Sequence, residues 1–533
     1  MWANSSCISF CVKPLLKPAF LAFLLLTGSV CANPQSAEIT NNKHTVAIQT
    51  SQLPIGESPY QYLIKHSNRQ LLWFDEQGLT LSGLSLHRLL ADLGWHSKTK
   101  VNDLKNQQFE QHDRVLTKGF LQLIQVSANH YKQAVNAKNE LLNAIVEDAS
   151  DELLLSLIPA YDQISHIRKA ISEYRFLSQH QWPQLDVTFK PRLGQSHQQV
   201  KGIRQILTLL GDLPRKAQTK TRLYVFDTVV VAALKEFQSR HGLVPDGKLG
   251  PNTYAALKVR PEKRIKQLQV NLWRWFTLPK TPPEKYLLVN IPGYQLSVIE
   301  DGDETVKMKV IVGDVENQTP QMVTEINRVT LNPTWTPTRN IINNELIPEY
   351  KQDFLSLKRK NFQLVKGYWK NIEIREIDDP GLNISKLLQS YRLVQAAGEN
   401  NALGYYRFNI PNNYSVYLHD TPIKSLFRQS KRALSHGCIR LEDASLLAKY
   451  LLKADNSAHL NKMQTVIKSG KTTNLPLKTP LPVYITYQTA WINEKGKLRL
   501  SPDIYDLDHK NSYLTQFHAT DSNPVITLSQ NNF

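Results

Sequence analysis

The chain predicts a multidomain protein: an α-helical N-terminal scaffold, a small three-helix module, and a mostly β C-terminal domain that carries a capping insertion. Three observations predict it. A length of 533 residues is more than one hydrophobic core usually serves. Apolar residues recur at three- and four-residue steps from about residue 45 to 260, the period of a helix with one buried face. From Glu284 the pattern changes to the period of two that a strand requires, and it closes late with PVYITYQTAW, residues 482–491.

Taken in order, residues 1–32 read as a secretory signal. Lys13 and Lys17 supply its charged region, Ala19 to Thr27 its apolar core, and Val30-Cys31-Ala32 a cleavage site that leaves Asn33 first. The rival reading, an uncleaved anchor, has a core too short for a comfortable span. Residues 33–44 are a polar, disordered leader. Residues 45–190 form the helical scaffold, with LSGLSLHRLLADLGW and KGFLQLIQVSANHYKQAV as its clearest amphipathic runs. His87, His96, His112 and His130 are scattered there and read as structural or solvated. Residues 191–260 form the small module. Val200, Ile203, Leu207 and Leu210 share one helical face, and Val230, Ala233, Leu234 and Phe237 another. Asp227 is the N-cap of the second helix and Gly242 its stop. A basic insertion, PRKAQTKTRLY, interrupts the module. Residues 261–283 form a linker helix whose Leu268, Leu272, Trp273 and Trp275 suit packing between domains.

The mostly β domain spans residues 284–508. KYLLVNIPGYQLSVIEDGDETVKMKVIVG reads as three strands joined at Pro292-Gly293 and Asp301-Gly302. Tyr294, Leu296 and Val298 alternate with Gln295 and Ser297, as in a strand buried on one side. One helix is expected after residue 438, with Leu447, Tyr450 and Leu451 on its inner face. An insertion at about 339–391, partly helical, basic and aromatic, breaks the strand rhythm. Phe354, Phe362, Tyr368 and Trp369 lie in it, and it is placed to cap a cleft. Residues 509–533 are a polar tail.

The chemistry concentrates in YLHDTPIKSLFRQSKRALSHGCIRLE, residues 417–442. Signal cleavage removes Cys7, Cys11 and Cys31 and leaves Cys438 as the only thiol. Two imidazoles, His419 and His436, stand near it in sequence. A thiol is a weak nucleophile until a neighbouring base takes its proton, and an imidazole can do so. Gly437 lets a substrate carbonyl approach the backbone, so the amides of Gly437 and Cys438 are candidate oxyanion donors. A helix starting downstream, near Glu442 and Asp443, adds only a modest dipole at the sulfur. A zinc site of His419, His436 and Cys438 is the rival reading, and it lacks the close ligand pairs such sites use. No cofactor is expected.

The LHD…SHGCIR pattern resembles the signature of the L,D-transpeptidases of the YkuD-domain family. RLVQAAGENNALG, VYLHDTPIKSLF and PVYITYQTAW are similar to its long periplasmic YcbB-type branch, over roughly residues 45–508. The FQ…GL…DG..G..T…L pattern of the small module resembles a peptidoglycan-binding domain. The resemblance implies that Cys438 is the nucleophile and His419 the general base, with the Asp420 carbonyl orienting the imidazole and His436 and Arg440 lining the pocket and holding substrate. It implies a peptidoglycan tetrapeptide stem as acyl donor, loss of D-Ala, a thioester on Cys438, and transfer to the amine of a second stem in a 3→3 cross-link. A hydrolase on the same scaffold and a non-catalytic wall-binding scaffold remain as alternatives.

The formal charge of +18 agrees with an anionic polymer as partner. No zinc-finger spacing, RRM signature or bZIP heptad occurs, so nucleic acid is not expected. Peptidoglycan stems and other cell-wall enzymes are the expected partners, the periplasm the expected location, and no membrane span is expected after signal cleavage.

Overall fold

A computed structural model describes residues 57–95, 108–130, 136–217, 222–367 and 371–509. The chain divides after Glu57, and the described helices and strands belong to the compact body that begins at Ser58. The signal, leader and tail, together with Tyr368 and Trp369, lie outside the described residues.

The scaffold is helical, as its periodicity predicts. It comprises α1 (Pro59–Ser67), a short ribbon of β1 (Phe74–Asp75) and β2 (Gly78–Leu79), α2 (Leu81–Asp92), α3 (Phe109–His130), α4 (Ala137–Val146), α5 (Ser150–Ser156) and α6 (Asp162–Leu177). Ser58 and Gln61 close a capping box that sets the start of α1. Leu86, Leu90, Leu116, Phe120 and Ile167 are buried in one core. The buried Asp113 carboxylate accepts from the amides of Leu72 and Trp73, at 3.0 and 2.7 Å, and fixes the ribbon to α3. His87 and His112 pack 5.7 Å apart beside that core, where burial holds both below the usual imidazole range.

The small module is α7 (Gln198–Leu209), α8 (Thr228–Arg240) and α9 (Pro251–Lys258). Asp227 caps α8 by accepting from Val229 and Val230, and Gly242 ends it at φ 66°. Val200, Ile203, Leu207, Val230, Leu234 and Phe237 form its core, whereas Leu210 is only partly buried. Arg240 and Asp212 form a buried bidentate ion pair, both contacts at 2.6 Å.

The next helix, α10 (Pro261–Phe276), joins the two halves of the protein. Its Leu268, Leu272, Trp273 and Trp275 share one core with Ile167 of the scaffold and with Tyr286 and Tyr484 of the β domain. Trp273 donates to the Leu93 carbonyl at 2.7 Å.

The β domain is built on a nine-stranded sheet. In chain order the strands are β3 (Lys285–Asn290), β4 (Gln295–Glu300), β5 (Asp303–Gly313) and β6 (Met322–Leu331), before the insertion. The insertion contains α11 (Arg339–Ile341), a π-helical turn (Ile342–Leu346), α12 (Ile347–Gln352), α13 (Ser356–Arg359), β7 (Phe362–Lys366), β8 (Glu373–Glu376), α14 (Ile384–Leu387) and β9 (Arg392–Gln395). The large sheet resumes with β10 (Tyr406–Asn409), β11 (Leu418–His419), β12 (Ala433–Ser435) and β13 (Ile439–Leu441). It is completed, after α15 (Ala444–Ala454) and α16 (Met463–Lys468), by β14 (Thr473–Thr486). A hairpin of β15 (Ala490–Ile492) and β16 (Leu498–Leu500) follows. The sheet order is β12-β5-β13-β11-β10-β6-β14-β3-β4, and pairing of β4 with β5 curls it back on itself.

Three details differ from the sequence reading. The strand β4 is not one-sided: Ser297 is buried like Leu296 and Val298, because its hydroxyl bonds the Glu304 carboxylate within the sheet. Two helices, not one, follow Cys438 among the described residues; α15 buries Leu447 and Leu451, and α16 adds Met463. The insertion is more than helix and loop. It holds a three-stranded sheet, β8-β7-β9, and its own core of Ile341, Leu346, Leu357, Phe362, Leu364 and Leu393. Non-local pairing of its strands left no local signal in the sequence.

Candidate active site

The site follows from strand register. In the middle of the sheet β11 runs parallel to β13, with Leu418 opposite Ile439 and His419 opposite Arg440. Side chains alternate along a strand, so this register sorts residues by face. Val416, Leu418, Ile439 and Leu441 point into the domain core. Tyr417, His419, Cys438 and Arg440 therefore share the opposite face. The next strand, β10, places Arg407 opposite His419 and extends the same row.

His419 is buried, and its Nδ1 lies 2.5 Å from the backbone carbonyl of Asp420. A carbonyl only accepts, so Nδ1 carries the hydrogen and Nε2 is left as the basic nitrogen. Burial, and then the Arg440 charge, push the imidazole down to about 3. It is neutral at physiological pH and free to accept a proton. Asp420 is itself held: its carboxylate accepts from the Tyr405 amide at 3.0 Å and from Lys424 at 2.6 Å. Its oxygen fills the space where a side chain at residue 404 would begin, which accounts for Gly404 at that close approach.

Cys438 is half-buried, and its sulfur lies 3.9 Å from the Ser415 carbonyl. Burial pushes the thiol up, whereas the Tyr417 amide, the Arg440 charge and the Tyr417 hydroxyl favour the thiolate. Tyr417 is a functional candidate that the sequence reading did not name. It neighbours Leu418 in the register that sets β11 beside β13, on the Cys438 face, and its hydroxyl favours the thiolate. Its ring stands edge-on to His419, with centroids 5.7 Å apart. The available signal was the two-residue step from Tyr417 to His419, which places both on one face of a strand.

Gly437 adopts φ 102°, a conformation that L side chains rarely adopt, although a Cβ there would meet its neighbours only at ordinary contact, 3.7 Å from the Gln318 carbonyl. Backbone geometry rather than crowding thus requires glycine here. Its carbonyl accepts from Thr319 at 2.8 Å, and Thr319 also accepts from the Gly313 amide at 2.8 Å. Tyr505 ties the relay down by donating to the Gly313 carbonyl at 2.6 Å. The Gly437 amide already donates to Ser435 Oγ at 3.2 Å, and Ser435 donates to the Cys438 carbonyl at 2.5 Å. Of the two candidate oxyanion amides, that of Gly437 is therefore engaged.

His436 contacts the insertion. Its Nε2 lies 2.6 Å from Glu345 Oε1, on the π-helical turn. Arg440, half-buried, faces both Cys438 and Glu345. Among the described residues no group of three His, Cys, Asp or Glu is placed to hold a metal ion. Also among them, no helix is long and apolar enough to cross a membrane. The helix α15 begins only after β13, with Asp443 as its cap, so it does not start at Cys438.

Residues 284–485 match the family described as L,D-transpeptidase catalytic domain, YkuD. Residues 196–257 match a family described as "Putative peptidoglycan binding domain". A Haemophilus influenzae protein named "Putative L,D-transpeptidase" is 38% identical over 224 residues, which is 42% of this chain. The chain spans 45% of the length of that relative. Among solved structures, an L,D-transpeptidase from Mycobacterium smegmatis is similar at 15% identity over 39% of this chain and 60% of that one, with a TM-score of 0.18. L,D-transpeptidase 3 from Mycobacterium tuberculosis, solved with a faropenem-derived adduct, is similar at 16% identity over 39% and 62% of the two chains, also with a TM-score of 0.18. Superpositions this loose carry no weight for the geometry of the site. The catalytic-domain match encloses His419, Cys438 and the strands that hold them, so the candidate site lies within the residues that are similar to the YkuD L,D-transpeptidase catalytic domain.

Proposed function

We propose that the protein is a peptidoglycan L,D-transpeptidase, exported to the periplasm, that makes 3→3 cross-links. The observation that carries the proposal is the register that puts a neutral, Nδ1-tethered His419 on the same sheet face as Cys438. In the proposed reaction the Cys438 sulfur attacks the carbonyl of the third stem residue while His419 Nε2 takes the thiol proton. The C–N bond to D-Ala breaks, and His419 returns the proton to the leaving amine. A thioester remains on Cys438. The side-chain amine of a second stem then attacks it, His419 takes the amine's proton, and the sulfur leaves and is reprotonated. The Cys438 amide is the donor proposed for the oxyanion. The insertion, joined to the signature block through Glu345 and His436, is proposed as a lid that keeps water from the thioester.

The test is incubation with purified disaccharide tetrapeptide and identification of products by mass spectrometry. Dimer with loss of D-Ala is the expected result. Tripeptide alone would make the protein a hydrolase, and no product at all would leave a wall-binding scaffold. Deleting residues 345–390 across a short Gly-Ser bridge should spare carbapenem acylation of Cys438 and shift turnover from dimer to tripeptide.

A further inference from the structure

Two arginines on the active-site face have no role in the chemistry proposed above. Arg407 lies opposite both His419 on β11 and Thr330 on β6. Two residues before Thr330, Arg328 shares that face, one diagonal step from Arg407. Both side chains are half-buried, and the Nε of each is fully buried without a hydrogen-bond partner. Among the described residues neither guanidinium forms an ion pair. Burial disfavours the Arg407 cation most, Tyr417 favours it, and the Arg328 charge disfavours it again, with no carboxylate among the causes. The Arg407 guanidinium lies 5.7 Å from the ring centre of Tyr417, which shares the face of the nucleophile.

Two cations side by side on a half-buried face repel each other and lose hydration. A guanidinium fork with unused donors is the group that best matches a carboxylate. We propose that Arg407, with Arg328 behind it, is the anchor for a carboxylate of the acyl-donor stem. This rests on the transpeptidase reading only for the identity of the ligand. The anchor seats the stem across β10 and β11 and so sets where its carbonyl meets Cys438.

The experiment measures binding to Cys438→Ala protein by calorimetry, so that no turnover is needed. The probes are the free disaccharide tetrapeptide and three singly amidated forms: at the D-Glu α-carboxylate, at the side-chain carboxylate of the diamino acid, and at the terminal D-Ala. Amidation of one of these should weaken binding about tenfold or more, as loss of a charge-assisted pair does. Adding Arg407→Gln should weaken the free form by a similar factor and abolish the discrimination. Arg328→Gln should do the same to a smaller degree. Should Arg407→Gln fail to fold, Arg407→Lys keeps the charge without the fork and should lose part of the discrimination. Equal weakening of all four probes, retained discrimination, or no binding by Cys438→Ala protein would overturn the anchor. Turnover by the wild-type protein is scored separately: binding without turnover refutes the transpeptidase reading, and turnover with a binding profile indifferent to Arg407 refutes the anchor alone.

Discussion

Whether Cys438 and His419 rest as a neutral pair or as thiolate and imidazolium decides how the first step begins. The ordinary thiol value is 9.0 and burial pushes Cys438 above it, whereas His419 is pushed down to about 3. Before the attraction between the two charges is counted, moving the proton in the resting site is therefore uphill by roughly six pH units, on the order of 8 kcal/mol at 1.36 kcal/mol per unit. At that gap about one molecule in a million would hold the ion pair before substrate arrives. The proton must then move as the sulfur–carbon bond forms, with His419 as base and the negative charge passing to the oxyanion. The perturbation is pH, and the assay is the rate of Cys438 alkylation by iodoacetamide, read by mass spectrometry between pH 5 and 10. Alkylation needs only thiolate. Its rate should climb about tenfold per pH unit through neutrality and level off above pH 9, with no plateau on the acid side. Replacing His419 with Gln should leave that profile nearly unchanged but slow acylation by a carbapenem about a hundredfold or more. A plateau between pH 5 and 7 that disappears in His419→Gln would show a resting ion pair and refute the argument.

The remaining expectations test the supports of the site. Tyr417→Phe removes a hydroxyl that favours the thiolate, so the alkylation inflection of Cys438 should move up by about one pH unit; an unmoved inflection would mean the hydroxyl does not reach the sulfur. Thr319→Val leaves the Gly437 carbonyl and the Gly313 amide unpaired, and should cost about 1–3 kcal/mol in thermal unfolding and slow acylation. An unchanged melting temperature would show that the relay does not hold Gly437. In the small module, Asp212→Asn strands the buried Arg240 and should destabilise that module locally by about 3–5 kcal/mol. Hydrogen exchange should rise in residues 198–258 while carbapenem acylation is unchanged; protection equal to wild type would refute the estimate.

Much of the architecture was legible in the chain because its causes are local. Helical period, the Asp227 cap, the Gly242 stop and the turn pairs at Gly293 and Gly302 act within a few residues, and each can be read from side-chain type. The thiol, the two imidazoles and the glycine before Cys438 were legible for the same reason: they lie in one short block. Tertiary structure alone decided which of them meet. His419 and Cys438 come together because β11 and β13 pair in parallel, in a register set by a core on the other face that no local window contains. His436, two residues before the thiol, meets Glu345 of the insertion, a contact made by residues 91 positions apart that no local window contains. Arg407 and Arg328 reach the site only through the pairing of β10 with β6 and β11, and Tyr417 gains meaning only once Cys438 lies beside it. Strand pairing joins residues far apart in sequence, and its energy lies in contacts between strands rather than in the preferences of either one.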